Sequence, residues 1–358
     1  MIINSLREAR YRAAATAKVG WFTGFYVLGR HIVGPLTGPG ETPRPYKSDP
    51  VDFAAMRSSF MELFDAEWQD IERGRYKLPQ EFRAPPNGPR MLRDAAGYLR
   101  EARMVARRAH QKGGGTEVRE AGAPEGYPAY YRQNFHFQSD GWFSDRSARA
   151  YDTQVEVLFT GAADTMRRRA LALIADEVQR REGEGERVGD LSLVDIGTGT
   201  GRLLADVADN FPGLPMVGVD LSDPYLKRAK KTVGPEANAR FVAAPGEKLP
   251  FADQSMDILT TVYLFHELPP KVRRVMAAEF ARVLKPGGLY VHLDSVQYGD
   301  TAMDALLEGF PRAFHEPFYE SYMNEDLAEI FGAEGLRAES SLIGFLSKAS
   351  SFRKPLPS

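Results

Sequence analysis

Asp195 stands ahead of three alternating glycines in the stretch Leu193-Val194-Asp195-Ile196-Gly197-Thr198-Gly199-Thr200-Gly201. An apolar run, a glycine turn and a helix start bring the backbone close to a ligand that any Cβ would hold away. Glycine turns of this kind also serve dinucleotides with a pyrophosphate. The acid in front narrows the choice. A carboxylate at a strand end repels pyrophosphate and attracts an ammonium group. S-adenosylmethionine (SAM) carries an ammonium and a sulfonium and no phosphate, so D-x-G-x-G-x-G predicts a SAM site. Asp220 ends the next apolar run, nineteen residues after Gly201. A carboxylate there accepts both hydroxyls of a ribose.

Transfer of a methyl group from a sulfonium depends mainly on alignment and exclusion of water. A general base is needed only where the acceptor loses a proton. The candidates are His266, beside Glu267, together with His136 and His315. No metal-ligand spacing stands out, and Asp294 is a single carboxylate, too little for a magnesium site. The run Thr261-Val262-Tyr263-Leu264 lacks Asn/Asp-Pro-Pro-Tyr, which argues against planar amide or adenine nitrogens as acceptors. The stretch Tyr127 to Phe143 holds seven aromatic residues without helical periodicity. So many rings are costly to leave in water, and they are expected to form a lid over cofactor and acceptor.

The elements that must hold these residues follow from periodicity. From residue 191 to about 294 strand and helix patterns alternate, which argues for a doubly wound α/β sheet. Strands are expected at Met216–Asp220, Arg240–Ala244, Asp257–Phe265 and Leu289–Leu293, with helices at Tyr225–Val233 and Lys271–Leu284. Upstream, helices are expected over residues 1 to about 33, Asp52–Arg75, Met91–Lys112 and Tyr151–Arg180. The stretches Gly34–Pro50 and Pro79–Pro89 read as loops. A loop after Phe310, a helix at Glu325–Phe331 and a hairpin of Arg337–Ser341 with Leu342–Ala349 close the chain. The division this implies is a helical, loop-rich cap and lid over 1–150 and a cofactor-binding domain over 151–358.

Over about residues 150 to 350 the chain resembles the class I SAM-dependent methyltransferases, most closely the ubiquinone and menaquinone C-methyltransferase branch. The matching pieces are Asp195 to Gly201, Val219-Asp220-Leu221-Ser222, Leu249-Pro250-Phe251, Ser255-Met256-Asp257-Ile258-Leu259 and Arg282-Val283-Leu284-Lys285-Pro286-Gly287-Gly288. The resemblance implies a Rossmann-like, seven-stranded sheet with its last strand antiparallel, SAM as cofactor and S-adenosylhomocysteine (SAH) as product. It also implies cofactor contacts from Asp195, Gly197, Thr198, Gly199, Gly201, Asp220, Leu221, Gly246, Glu247 and Tyr263. One place departs from the pattern. Pro245-Gly246 stands where the family has Asp-Ala, whose carboxylate receives the adenine amino group, so Glu247 or a backbone carbonyl is expected to substitute.

Composition sets the outer limits. The chain has 358 residues, 43% hydrophobic and 26% charged, with a net charge of -2. That balance suits a cytoplasmic protein and gives no reason to expect DNA as a partner. There is no cysteine, which removes disulfides, thiolate metal sites and cysteine nucleophiles. No stretch approaches the roughly 20 apolar residues that span a bilayer. The basic, aromatic residues 1–33 suit packing on the protein's own body, peripheral contact with a membrane or an organelle transit sequence. The expected function is methylation of a small or lipid-like, aromatic or hydrophobic acceptor, at oxygen, carbon or nitrogen. Two rivals are an RNA or protein methyltransferase that docks through the basic helix 90–112 and a SAM-binding scaffold without activity.

Overall fold

The computed structural model describes residues 2–33, 47–83, 88–109, 126–133 and 141–357. Seven strands form one sheet: β1 Leu193–Ile196, β2 Met216–Asp220, β3 Ala239–Ala243, β4 Met256–Val262, β5 Leu284–Ser295, β6 Arg337–Gly344 and β7 Ser347–Arg353. Their order is β3-β2-β1-β4-β5-β7-β6. The first five are parallel, and β7 runs antiparallel between β5 and β6. This is the expected Rossmann-like, doubly wound sheet. Alternation along β1 sends Leu193 into one apolar core and Val194 into the other, so both faces of the strand are covered. The strand order reverses between β1 and β4, which opens a ligand crevice at their carboxyl ends.

The helices that frame the sheet are α1 Ile2–Val33, α2 Phe53–Glu72, α3 Gln80–Arg83, α4 Gly88–Ala109, α5 Asp145–Leu158 and α6 Ala163–Gly183. Further along lie α7 Arg202–Asn210, α8 Asp223–Val233, α9 Pro270–Val283, α10 Asp304–Ala313, α11 Tyr319–Met323 and α12 Leu327–Ala333. Several boundaries differ from the sequence reading. Tyr151–Arg180 is two helices and not one. The chain breaks at Thr160 (φ 49°) and Gly161 (φ 87°), both left-handed. A Cβ on Gly161 would lie 3.2 Å from the Lys18 carbonyl, so α1 crosses directly over the break. Strand β5 begins at Leu284, with the irregular stretch after it absorbed by a register shift against β4. The closing hairpin turns at Phe345, itself left-handed at φ 58°, and not at Leu342. Pro79–Pro89 includes α3 and the start of α4, while 84–87 lie outside the described residues. The segment after Phe310 is largely helical, as α10 and α11.

On α4, Ala95 is buried as its stripe predicts, but Leu92 is 64% exposed. Among its basic residues Arg93 and Arg100 are exposed. The side chains of Arg90, Arg103, Arg107 and Arg108 lie outside the described residues, as do Lys112 and almost all of the proline-rich stretch 34–50. No helix among the described residues is long and apolar enough to cross a membrane. The first half of α1 packs on the protein itself. Tyr11 is buried, stacks on Trp68 at 5.5 Å and donates to the Glu67 carboxylate at 2.6 Å. Its second half leaves Val27 and Leu28 exposed.

Helix α6 explains how the N-terminal helices hold to the sheet. Three consecutive arginines fan out from it at the roughly 100° steps of an α-helix. Arg168 reaches Glu67 on α2 and Glu81 on α3, Arg169 reaches Asp70 on α2, and Arg167 pairs with Asp164. Glu67 and Arg168 are both almost wholly buried. Removing one partner of such a pair strands a charge in the interior. Glu67→Ala should therefore lose about 3–5 kcal/mol of stability, read as a fall in the urea midpoint. Breaking the exposed Arg187–Asp190 pair with Asp190→Ala should leave the urea midpoint nearly unchanged. Equal effects from the two variants would contradict this account of the N-terminal attachment.

Candidate functional site

Two cavities meet at the carboxyl ends of β1 and β4. The larger, about 810 Å³, is lined by Gly197, Gly199, Asp220, Leu221, Gly246 and Glu247 on the sheet side and by Tyr130, Tyr131, Trp142 and Tyr151 on the other. The smaller, about 370 Å³, is lined by Asp195, Thr198, Thr200, Arg167 and Arg202. Tyr151, Gly197, Gly199, Val262 and Tyr263 line both, so the two are halves of one cleft that passes over the glycine turn.

The turn is built as its glycines require. Gly197 and Gly199 sit at φ 69° and 54°, in the left-handed region. Gly201 plays a different part from the one expected. It caps α7 at φ 77°, a Cβ there would come within 2.9 Å of Ala229, and it lines neither cavity. It is a packing glycine that lets α7 and α8 approach.

Two carboxylates face the cleft, Asp195 buried and Asp220 half-buried. Asp195 accepts from the Thr260 hydroxyl at 2.7 Å, and burial raises its carboxyl to about 6. Asp220 accepts backbone N–H groups from Gly199 and Ser222, each at 2.8 Å, and burial raises it likewise to about 6. Hydrogen-bond donors support both, and neither has an ion-pair partner among the described residues. At neutral pH both are mainly ionised. Such a pair fits the ammonium and ribose hydroxyls of SAM and would repel a pyrophosphate.

Arg167 was not singled out by the sequence, where it reads as one of three arginines on a helix. In the structure it lines the small half of the cleft together with Arg202 and Asp195. Asp164 pairs with both arginines, and Lys18 of α1 lies 3.7 Å from it. Burial would raise Asp164, but Arg202, Lys18 and Arg167 outweigh it and hold the carboxyl well below its ordinary range. This end of the cleft thus offers an anion for an ammonium and cations for a carboxylate, the two charges of a methionyl group.

In the larger half Gly246 packs closely on Met276 and Ile196, so that a Cβ there would displace the Met276 side chain. Glu247 follows it, and its Oε1 accepts from the Tyr130 hydroxyl at 2.6 Å while its Oε2 is buried without a hydrogen bond. A buried acceptor at this end suits the amino group of an adenine. Tyr263, at φ 53°, is held off the usual backbone regions by its N–H to Leu293 and its hydroxyl against Ser347 at 2.6 Å. Strain of this kind collects at functional sites.

The aromatic stretch lies over the cleft at both of its described ends. Tyr130 and Tyr131 line it, and Trp142 stands edge-on to Tyr151 and Tyr225, each at 5.5 Å. Residues 134–140, including His136 and Asp140, lie outside the described residues. His315 binds the Gln133 side chain through Nε2 at 3.0 Å and lines neither cavity. His266 lies just behind the wall. Its Nδ1 meets Asp294 at 2.5 Å, while its neighbour Glu267 lines the larger cavity. Burial lowers the imidazole, but Asp294 outweighs it and the group ends up raised to about 9. It carries a proton at neutral pH and so is no ready base there.

Residues 193–288 match the family described as "Methyltransferase domain". Over 147 residues the chain is 35% identical to a demethylmenaquinone methyltransferase of Chlorobaculum parvum, which covers 40% of this chain and 54% of that protein. A protein of the same name from Thermus thermophilus is 31% identical over 153 residues, covering 42% of this chain and 63% of that one. The chain therefore spans less than two thirds of the length of these two relatives. A solved SAM-dependent methyltransferase of Aquifex aeolicus aligns at 18% identity and a TM-score of 0.37, over 50% of this chain and 89% of the other.

The charged end of the cleft gives a test that separates binding from folding. Arg167→Gln should weaken SAH by about ten- to a hundredfold, the loss of one charge-assisted bond. Methylthioadenosine, which lacks the amino-acid group, should bind the variant as it binds the parent protein. Calorimetry with both ligands decides the matter. Equal loss for the two, or no loss for either, would remove Arg167 from the carboxylate end.

Proposed function

We propose that this chain, whose C-terminal part is a class I SAM-dependent methyltransferase domain distantly related to the menaquinone C-methyltransferases, transfers methyl groups to a small, lipophilic, aromatic acceptor of quinol type. The carrying observation is the cleft's outer wall. Tyr130, Tyr131, Trp142 and Tyr151 come from the region ahead of the sheet and close over the glycine turn. A cleft with one carboxylate-bearing wall and one aromatic wall has the lining of a small-molecule site. A folded macromolecule would need an open approach to the same point.

In this reading Asp195, Arg167 and Arg202 hold the methionyl group, Asp220 the ribose, and Leu221, Gly246 and Glu247 the adenine. Bound SAM supplies an electrophilic methyl whose departure leaves a neutral thioether. The chain's own residues supply position and dryness. The tyrosine and tryptophan rings exclude water and offer flat faces to an aromatic acceptor. Names of the relatives support the acceptor class, since both are called demethylmenaquinone methyltransferases. The exposed apolar end of α1 around Val27 and Leu28 supports access to a lipid-dissolved acceptor from a membrane surface.

The test is a transfer assay with the full chain, SAM and a panel of reduced quinols, with and without isoprenoid tails. SAH release should accompany a product heavier by one methylene. Trp142→Ala should lower kcat/KM by about tenfold or more, as expected where a wall of the acceptor site is removed. No transfer to any small aromatic compound, with transfer to RNA or protein instead, would overturn the proposal.

A further inference from the structure

We infer that His266, Glu267 and Glu316 form a binding site for one divalent transition-metal ion at the inner edge of the acceptor cavity. The three residues come from two separate parts of the chain. His266 and Glu267 lie on the short turn Phe265–Glu267 that follows β4, and Glu316 lies between α10 and α11. Each offers one donor atom, and the three donor atoms lie within 4.8 Å of one another. His266 and Glu316 are buried, and Glu267 lines the larger cavity. No sequence spacing announces such a set, because the third donor comes from a distant loop.

The histidine is oriented as a ligand must be. Asp294 holds Nδ1 at 2.5 Å, which leaves Nε2 as the ring's donor. Asp294 is itself fixed by backbone N–H groups of Phe265 at 2.8 Å and Ser295 at 2.7 Å. Tyr319 stands edge-on to the imidazole at 5.8 Å, and its hydroxyl is tied to Ser295 at 2.7 Å. A carboxylate behind the imidazole, itself hydrogen-bonded, is the arrangement that fixes tautomer and direction in metal-binding histidines. One imidazole with two carboxylates suits manganese, iron or zinc better than calcium or magnesium, which take oxygen donors.

The position gives the ion a use. Glu267 faces the cavity, so a ligand place left open on that side would take an oxygen of the acceptor and make its hydroxyl easier to deprotonate. That use rests on the reading of the cleft as a methyl-transfer site, whereas the binding of the ion does not.

The experiment is manganese uptake by the metal-stripped full chain, followed by electron paramagnetic resonance, with SAH binding measured in parallel. One Mn²⁺ per chain is expected. Glu316→Gln and His266→Ala should each weaken uptake by at least about tenfold, and Asp294→Asn by about 10- to 100-fold. SAH affinity should be unchanged in Glu316→Gln, which shows that this variant is folded even where His266→Ala is not. Absence of uptake at about 1 mM Mn²⁺, or unaltered uptake by Glu316→Gln, would overturn the site. Uptake without SAH binding by the parent protein would leave the ion site standing and remove the methyl-transfer reading.

Discussion

Charge buried along one helix holds this structure together. Helix α6 lies between the N-terminal helices and the sheet and is buried along most of its length, yet it carries Asp164, Arg167, Arg168 and Arg169 inside the protein. Isolated, each would cost several kcal/mol to bury. Asp164, Arg168 and Arg169 are met by partners from other elements, namely Lys18 from α1, Glu67 and Asp70 from α2, Glu81 from α3 and Arg202 at the start of α7, while Arg167 pairs with Asp164 on the helix itself. The same cluster therefore attaches the cap and builds the charged end of the cleft. A change at Lys18 is two ion pairs away from Arg167 in the cleft.

This arrangement explains why the region ahead of residue 150 is more than a covering. One apolar cluster runs from Tyr11 and Leu63 through Met166 and Leu171 to Leu193 and Leu289, so cap and sheet share a core. The aromatic wall then lies over the glycine turn because α5 and α6, which follow it, are fixed on both sides. The Tyr130–Glu247 bond joins that wall to the strand-end loop after β3. Cofactor and acceptor would thus meet where the two parts of the chain meet.

The sheet was largely legible in the sequence, because buried parallel strands and glycine turns are local patterns. Asp195 and Asp220 were readable for the same reason, each at a strand end at a fixed distance from the turn. Arg167 was not, since a triple arginine on a helix looks like a solvated face until its partners at Glu67, Asp70 and Glu81 are known. Gly201 was read as a ligand-facing glycine and proves to serve helix packing against Ala229. The break at Thr160-Gly161 was hidden because no proline marks it and the crossing of α1 decides it. His266 showed its proximity to the cleft but not its bond to Asp294, which sets its charge.

The central claim is that the cleft over Gly197 and Gly199 is built for SAM, with Asp195 and Asp220 as its discriminating charges. Calorimetry of the full chain with SAM, SAH and NAD tests it most directly. The account predicts binding of SAM and SAH, with one site per chain, and none of NAD. Preferential binding of NAD would contradict it, because the two cleft carboxylates would then be facing a pyrophosphate.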